Sequence, residues 1–142
     1  MQLTLAIIKP DAVQAGHTGK ILAHLEAAGF QIRAVRLVRL STAQAQAFYA
    51  VHRDRPFFKP LVAFMTSGPA LALALALARD NAVAHLRDVI GATDPADAKP
   101  GTVRKLYAQN KERNAIHASD SAENAAREVA FFFPERELVE LG

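Results

Sequence analysis

His117 lies in a run of polar residues that could together hold and transfer an anionic group. A neutral imidazole is a competent nucleophile toward phosphorus when a second group holds its other ring nitrogen. Glu128 follows further along the chain and is the candidate for that second group. We also predict that a helix begins just after His117, and free N–H groups at a helix start favour an anion. These residue types therefore fit phosphoryl chemistry, while an ordinary surface or core position remains the commoner explanation of a histidine. No His, Asp or Glu pair shows convincing metal-ligand spacing.

A cluster of basic residues precedes His117. Only one acid, Glu112, lies within it. Its members are Lys99, Arg104, Lys105, Lys111 and Arg113. A solvated surface is the ordinary explanation of such a cluster, and its position beside the histidine favours an anion site instead. The formal net charge of +3 says only that polyanions are attracted.

Length and composition exclude several classes of protein. With 142 residues, 51% of them hydrophobic, the chain can form one compact domain, which we expect to cover residues 1–142. There is no cysteine, which excludes disulfides and thiolate metal sites. The longest apolar run, from Gly68 to Ala78, is shorter than the about 20 residues that span a bilayer. No basic segment opens the chain, so we expect no secretory signal and a cytoplasmic location.

Hydrophobic periodicity predicts alternating strands and helices in the first half of the chain. Pro10 forces Lys9 to stay extended at the end of the first strand. The predicted elements are a strand over Leu3–Ile8, a helix from a Thr18 cap to Gly29, a strand over Phe30–Leu40, a helix from a Ser41 or Thr42 cap to about Val51, and a turn at Pro56–Pro60 leading into a short apolar segment, Leu61–Met65.

The second half is harder to assign. Strict Leu-Ala alternation favours a strand over Ala70–Ala78, although both residue types form helices well. The other predictions are a helix from an Asp80 or Asn81 cap to Gly91, a polar loop over Thr93–Arg113, a helix opened by a capping box of Asp120 and Glu123 and running to about Arg127, and a last strand over Val129–Phe133, just after Glu128. This order fits either a parallel sheet or a split βαβ arrangement.

The stretch from Asn114 to Ser121 resembles the active-site signature of nucleoside diphosphate kinases, Asn-x-x-His-(Gly/Ala)-Ser-Asp. Other stretches resemble further motifs of that family, in the same order and across essentially the whole chain. They are Ile8–Val13, Asp54–Phe58, Phe64–Pro69, Gly91–Pro95 and Lys99–Arg104.

The resemblance implies an α/β (α+β) fold, a ferredoxin-like sandwich whose four-stranded antiparallel sheet is covered by helices on one face. It implies transfer of the γ-phosphoryl group of a nucleoside triphosphate to a nucleoside diphosphate, by a ping-pong mechanism through phospho-His117 and with broad base specificity. Mg²⁺ would be carried on the nucleotide phosphates, with no direct protein ligand and with Asp120 acting at most through water. The chain would form a homo-oligomer, a tetramer or hexamer built from dimers. Neither membranes nor nucleic acids are expected as partners.

The resemblance also assigns residue roles. Nδ1 of His117 would attack phosphorus, Glu128 would hold the other ring nitrogen, and Ser119 would support Glu128. Lys9 would be both catalytic and nucleotide-binding. The remaining nucleotide-binding residues would be Tyr49, Phe57, Leu61, Arg87, Thr93, Arg104 and Asn114, with the base stacked on Phe57. On local pattern alone, several of these could be ordinary core or surface residues, namely Lys9, Tyr49, Phe57, Arg87 and Glu128.

The chain departs from the family pattern at three places, none of which removes a catalytic group. Ala118 stands where glycine is commoner, Lys105–Leu106 replaces a common Gly-Asp, and a Leu-Ala run covers Leu71–Arg79. Two rival functions remain open at this point. One is an RNA-binding module on a ferredoxin-like sheet, although the strands lack the paired aromatics that such sheets use. The other is an inactive family member that serves as a scaffold.

Overall fold

A computed structural model describes residues 2–77 and 81–139 of the chain. The strands are β1 (Leu3–Ile8), β2 (Gln31–Val38), β3 (Ala70–Ala76) and β4 (Ile116–Ala118). The helices are α1 (Pro10–Gln14), α2 (Thr18–Ala27), α3 (Thr42–Phe48), α4 (Phe58–Met65), α5 (Ala82–Ile90), α6 (Val103–Tyr107), α7 (Ala122–Phe132) and α8 (Glu135–Leu138). Three residues named in the sequence predictions lie outside the described residues. They are Ala78 of the predicted strand, Arg79 at the end of the Leu-Ala run, and Asp80, the alternative cap. Residues 1 and 140–142 of the predicted domain also lie outside the described residues.

The four strands form one antiparallel sheet in the order β2-β3-β1-β4. β1 and β2 are separated in the sheet by β3, so the chain crosses over between them through α1 and α2. This confirms the predicted ferredoxin-like sheet and decides for the split βαβ arrangement over a parallel sheet.

Helices cover both faces of the sheet, so the prediction of one covered face was wrong. One core lies between the sheet and a layer that includes α2 and α5, with Ile21, Leu25, Leu86 and Ile90 buried in it. The second core lies between the opposite face and α3, α4 and α7. Every residue of β3 is buried, which explains why this strand contains no polar residue on either face.

The Leu-Ala alternation of β3 sends its two residue types to opposite faces. Leu71, Leu73 and Leu75 pack in the α2 and α5 core, while Ala70, Ala72 and Ala74 face the α3, α4 and α7 core. Side chains alternate across a strand, so a period of two places large residues on one face and small ones on the other. The strand prediction is therefore confirmed over the described part of the run. The small face meets large aromatic residues of the facing helices.

The last predicted strand is wrong, and β4 takes its place in the sheet. Residues 129–132 continue α7, which runs through the predicted stop at Arg127 and ends at Phe132, with Phe133 as its C-cap. Ala125, Val129 and Phe132 are buried at helical spacing, so the apolar run reflects one helix face and not a strand. β4 is only three residues long, which is too short for a periodicity signal. Glu128 consequently lies on a helix.

The predicted caps are partly right. Ser41 caps α3 and forms a capping box with Gln44, whereas α2 starts at Thr18 with His17 in the cap position. Ser121 caps α7 by accepting a hydrogen bond from the backbone N–H of Asn124, which replaces the predicted box of Asp120 and Glu123. Asn81 occupies the cap position of α5, which ends at Gly91 as predicted.

Three segments differ in helix content from their sequence predictions: one contains less α-helix and two contain more. α3 ends at Phe48, and a 3-10 turn over Ala50–His52 follows it within the predicted helix. The predicted turn at 56–60 already contains the start of α4, where Pro60 is tolerated because first-turn N–H groups have no partner in the helix. The predicted loop over 93–113 contains α6, capped by Thr102.

Candidate active site

A cavity of about 790 Å³ opens over the end of β4. Eleven of the twelve predicted site residues line it, and the twelfth, Ser119, lies buried just behind. The lining residues among them are Lys9, Tyr49, Phe57, Leu61, Arg87, Thr93, Arg104, Asn114, His117, Asp120 and Glu128. The structure thus brings together side chains that are more than a hundred residues apart in sequence.

His117 is the central residue of β4 and pairs with Ile7 of β1. Its neighbours Ile116 and Ala118 point into the α2 and α5 core, so His117 points to the opposite face, toward α3 and α7. There its ring meets Phe48 and Tyr49 edge-on, with centroid distances of 5.4 and 5.9 Å. A short strand at the sheet edge therefore fixes which way the imidazole faces.

One nitrogen of the imidazole contacts Glu128. Nε2 of His117 lies 2.7 Å from Oε1 of Glu128, and the hydroxyl of Ser119 donates to the same oxygen at 2.9 Å. Ser119 is fixed in turn by the backbone N–H of Leu5, which donates to its Oγ at 3.3 Å. No described residue hydrogen-bonds Nδ1, the other ring nitrogen.

Burial sets the protonation of this histidine. Desolvation lowers the pKa of His117, and the nearby cations Lys9 and Arg104 lower it further, against the opposing effect of Glu128. The neutral ring is therefore favoured at neutral pH. With Glu128 accepting the proton of Nε2, the lone pair belongs to Nδ1. This is the protonation state and tautomer that a nucleophile needs.

Two arginines attach to the free edge of β4. Arg104 donates to the carbonyl of Ile116 at 2.8 Å, and Arg87 to that of Ala118 at 3.4 Å. Those carbonyls are free because the ladder with β1 uses the alternate residues of the strand. Burial, with a smaller effect of Arg87, lowers the pKa of Arg104 to about 10. Both arginines therefore stand beside the imidazole, and Arg104 stays charged at neutral pH.

A third cation comes from the end of β1. The ammonium of Lys9 donates to Oδ1 of Asn114 at 2.8 Å, and the amide of Asn114 donates to the carbonyl of Thr93 at 3.3 Å. Burial, followed by repulsion from Arg104, lowers the pKa of Lys9 to about 8. An unpaired cation is costly to bury, so this arrangement is expected to attract an anion.

Gly91 supports Arg104 from the end of α5. Its carbonyl accepts a hydrogen bond from Arg104 at 3.0 Å. Its φ is +90°, and a Cβ at this position would lie 2.6 Å from Oγ1 of Thr102. Only glycine combines this backbone conformation with so close an approach.

Aromatic residues form the other side of the cavity. Tyr49 is buried, its hydroxyl has no hydrogen-bond partner among the described residues, and burial raises its pKa. Phe57 stands at the mouth with 44% of its surface exposed, and the His52 ring lies 5.1 Å from it. A half-exposed aromatic face beside a polar cleft suits a planar ligand.

Asp120 is the remaining predicted residue. Its carboxylate accepts a hydrogen bond of 2.7 Å from the side chain of Asn124, which is the main reason that its pKa is lowered. Among residues 2–77 and 81–139, no group of three or more His, Asp or Glu side chains is placed to hold a metal ion.

Comparisons with known proteins identify the family. Residues 2–138 match the family model described as nucleoside diphosphate kinase. The chain belongs to the nucleoside diphosphate kinase family. It is 50% identical to the nucleoside diphosphate kinase of a Nitratiruptor species over 98% of this chain and 100% of that protein.

Two solved structures of nucleoside diphosphate kinases have the same fold. The enzyme of Aquifex aeolicus is 44% identical with a TM-score of 0.93, covering 97% of this chain and 99% of that one. The enzyme of Halobacterium salinarum, solved in complex with CDP, is 39% identical with a TM-score of 0.92, covering 99% and 93%.

Membership of the nucleoside diphosphate kinase family confirms the predicted activity. The chain is a phosphotransferase that moves the γ-phosphoryl group from a nucleoside triphosphate to a nucleoside diphosphate, by the ping-pong phosphohistidine mechanism of its family. The family generally uses a divalent metal. No helix within the described ranges has the length and apolarity that a bilayer crossing requires.

Sequence reasoning missed residues that support the site without chemistry of their own. Phe48 packs against the His117 ring, and nothing in its local sequence separates it from an ordinary core phenylalanine. Arg127 donates to the carbonyls of Ala47 and Phe48 at 2.8 and 3.2 Å, tying α7 to the end of α3 beside Tyr49. Lys111, noted only in the basic cluster, also lines the cavity.

Proposed function

We propose that Nδ1 of His117 is the atom that accepts the γ-phosphoryl group. The observation that carries this proposal is the 2.7 Å contact of Nε2 with Glu128, which leaves the Nδ1 lone pair unused beside three cations. In the first half-reaction a bond forms between Nδ1 and the γ-phosphorus, the bond to the bridging oxygen breaks, and the diphosphate leaves with the electron pair. In the second half-reaction a nucleoside diphosphate attacks the phosphorus on His117, the bond between Nδ1 and phosphorus breaks, and a nucleoside triphosphate leaves.

The cations would stabilise the transferring group. Phosphoryl transfer asks a protein mainly for positioning and charge stabilisation. Arg87 and Arg104 offer planar donors for phosphate oxygens, and Lys9 adds a compact charge. Thr93, Asn114 and Tyr49 would contribute neutral donors, and the unpartnered hydroxyl of Tyr49 supports its inclusion. Positive charge on Nε2, which develops as Nδ1 gives up its lone pair, would be offset by Glu128, with Ser119 holding Glu128 in place.

The base would stack on Phe57 near Leu61, at the mouth of the cavity. Stacking contributes about 1–3 kcal/mol per base and tolerates all bases, because every base has a π-face. This placement supports broad base specificity.

Mg²⁺ is the divalent metal that we propose, carried on the nucleotide phosphates. Mg²⁺ prefers oxygen ligands and keeps several waters, so a carboxylate beside a phosphate site can interact with it through one of those waters. Asp120 fits this role, since it lines the cavity and its lowered pKa keeps it ionised. The bound ion would neutralise charge on the phosphate oxygens. Glu128 is already engaged by His117 and Ser119.

Replacement of His117 tests the nucleophile. The His117→Gln variant should fold like the parent and lose transfer. Incubation of the parent with γ-labelled ATP should give a phosphoenzyme that survives alkali and is lost in acid, and the variant should give none. Full turnover by the variant would remove this assignment.

Assembly and location are further proposals. We propose a homo-oligomer, a tetramer or hexamer built from dimers, and the exposed edge strand β2 with Val35 and Leu37 on its surface supports contact between copies. The proposed cytoplasmic location can be checked by cell fractionation, and recovery with membranes would contradict it.

A further inference from the structure

A strained turn lies directly before the strand that carries His117. Ala115 has a φ of +74°, and among residues 2–77 and 81–139 it is the one residue other than glycine with a positive φ. The N–H of Ile116 donates to the carbonyl of Asn114 at 2.9 Å across it. This hydrogen bond and this φ together define a γ-turn of the rarer, strained form.

Nothing in the side chain of Ala115 favours this conformation. A Cβ disfavours positive φ, and alanine has no polar group to compensate. Strained backbone persists only where the surrounding structure holds it in place. The turn therefore needs an external clamp.

The segment Lys9–Asp11 provides that clamp. Oδ2 of Asp11 accepts a hydrogen bond from the N–H of Ala115 at 3.1 Å. The N–H of Lys9 donates to the carbonyl of Ala115 at 2.9 Å. Both backbone groups of the strained residue are thus held from the junction of β1 and α1. Asp11 is buried, and its other oxygen, Oδ1, has no hydrogen-bond partner among the described residues.

The turn sets the positions of two site residues. Asn114 directly precedes Ala115 and holds the ammonium of Lys9, while His117 follows two residues later. A change in the backbone at Ala115 would move Asn114 relative to His117. A displacement of about 1 Å at a site can reduce the rate on the order of 10²-fold, even when the mutated residue is remote from the chemistry.

We infer that Asp11 is a positioning residue for phosphoryl transfer, acting by holding the turn at Ala115. The inference rests on the proposed role of His117. Asp11 does not line the cavity, so its effect on nucleotide is indirect. Its charge also opposes the lowering of the pKa of Lys9, and the experiment separates that effect from positioning.

Three variants test this inference in the full-length protein. Asp11→Ala removes the acceptor and should lower kcat on the order of 10²-fold with little change in the KM for nucleotides. Asp11→Asn keeps an oxygen acceptor without the charge, so it should retain most of the parent kcat. In the double variant Asp11→Ala with Ala115→Gly, glycine accepts positive φ freely, so kcat should recover at least roughly tenfold over Asp11→Ala.

Two further measurements distinguish a loss of positioning in the Asp11 variants from a loss of folding stability. Ile21→Val, which loses one buried methylene of α2 far from the cavity, serves as a control for lowered thermal stability and should keep the parent kcat. The Ala115 amide proton should shift in the NMR spectrum of Asp11→Ala and much less in that of Asp11→Asn.

Several outcomes would overturn the inference. They are a parent-like kcat in folded Asp11→Ala, a loss of kcat in Asp11→Asn as large as in Asp11→Ala, or the absence of recovery in the double variant. Failure of the proposed function is distinguishable, because the parent would then carry no acid-labile phosphate on His117.

Discussion

The charge of Lys9 gives a prediction at the scale of single residues. Lys9 is charged below its pKa of about 8, and His117 is neutral above a pKa that lies below the ordinary 6.5. We expect kcat/KM to be highest between these limits, to fall as the pH drops through the pKa of His117, and to fall again as the pH rises through about 8. Lys9→Met should lower kcat about 10²–10³-fold and remove the alkaline limb near 8, measured as kcat/KM against pH.

Stability provides the control for this variant. The pKa of Lys9 falls from 10.5 in the unfolded chain to about 8, so the unfolded chain binds more protons between these pH values. The contribution of Lys9 to stability is therefore unfavourable below pH 8 and improves as the pH rises toward 10.5. Lys9→Met should be more stable than the parent at pH 7 by about 1–3 kcal/mol, and less so at pH 10. An unstable variant that keeps the parent kcat would contradict both expectations.

Residue types, motifs and the family resemblance predicted the chemical groups of the site and the contacts of Glu128 with His117 and Ser119, but not the backbone contacts that hold these groups. His117, Glu128 and Lys9 were identified from pattern and family resemblance. Their geometry depends on backbone groups that every residue carries, such as the Ile116 carbonyl that holds Arg104 and the Leu5 N–H that holds Ser119. Such contacts leave no trace in sequence, because any residue type supplies the same donor or acceptor.

Gly91 gives a prediction at the scale of elements. Gly91→Ala forces a Cβ against Thr102 at a positive φ, at the point where α5 ends and the Arg104 contact begins. We expect a loss of about 1–3 kcal/mol in the free energy of unfolding and a reduced kcat, measured by urea unfolding and steady-state kinetics.

Gly16 offers a matched control for Gly91. Its φ is +77°, but nothing lies within 4 Å of an added Cβ. Gly16→Ala therefore reports the backbone strain alone, and it should leave kcat unchanged. Equal effects of the two substitutions would mean that the contact with Thr102 contributes nothing.

Long periodic segments were predicted well. Short segments, and segments whose apolar pattern fits both a helix and a strand, were not. β3 was recognised because its alternation is strict over the whole strand. The helical face of α7 was mistaken for a strand because its last residues, Val129 to Phe132, are all apolar. β4 could not be found from periodicity, since three residues carry too little of it, and its pairing with β1 is a long-range property.

The edge strand β2 gives a prediction at the scale of the whole molecule. Val35 is 54% exposed and Leu37 is 64% exposed, beside a row of backbone groups at the sheet edge. Edges of this kind pair with other chains unless they are blocked. Replacing both residues by lysine should shift the protein toward monomers, with light scattering as the measurement. A parent that is already monomeric would contradict the proposed assembly.

The pairing of Ile7 with His117 has a consequence for how the enzyme can lose activity. A slip of one position along this ladder would turn the imidazole to the other side of the sheet, among leucines, and away from every cation. No gradual misalignment exists between the two registers. Heat or denaturant should therefore inactivate each molecule in one step. The number of fully active molecules should fall, and no molecules of reduced activity should accumulate.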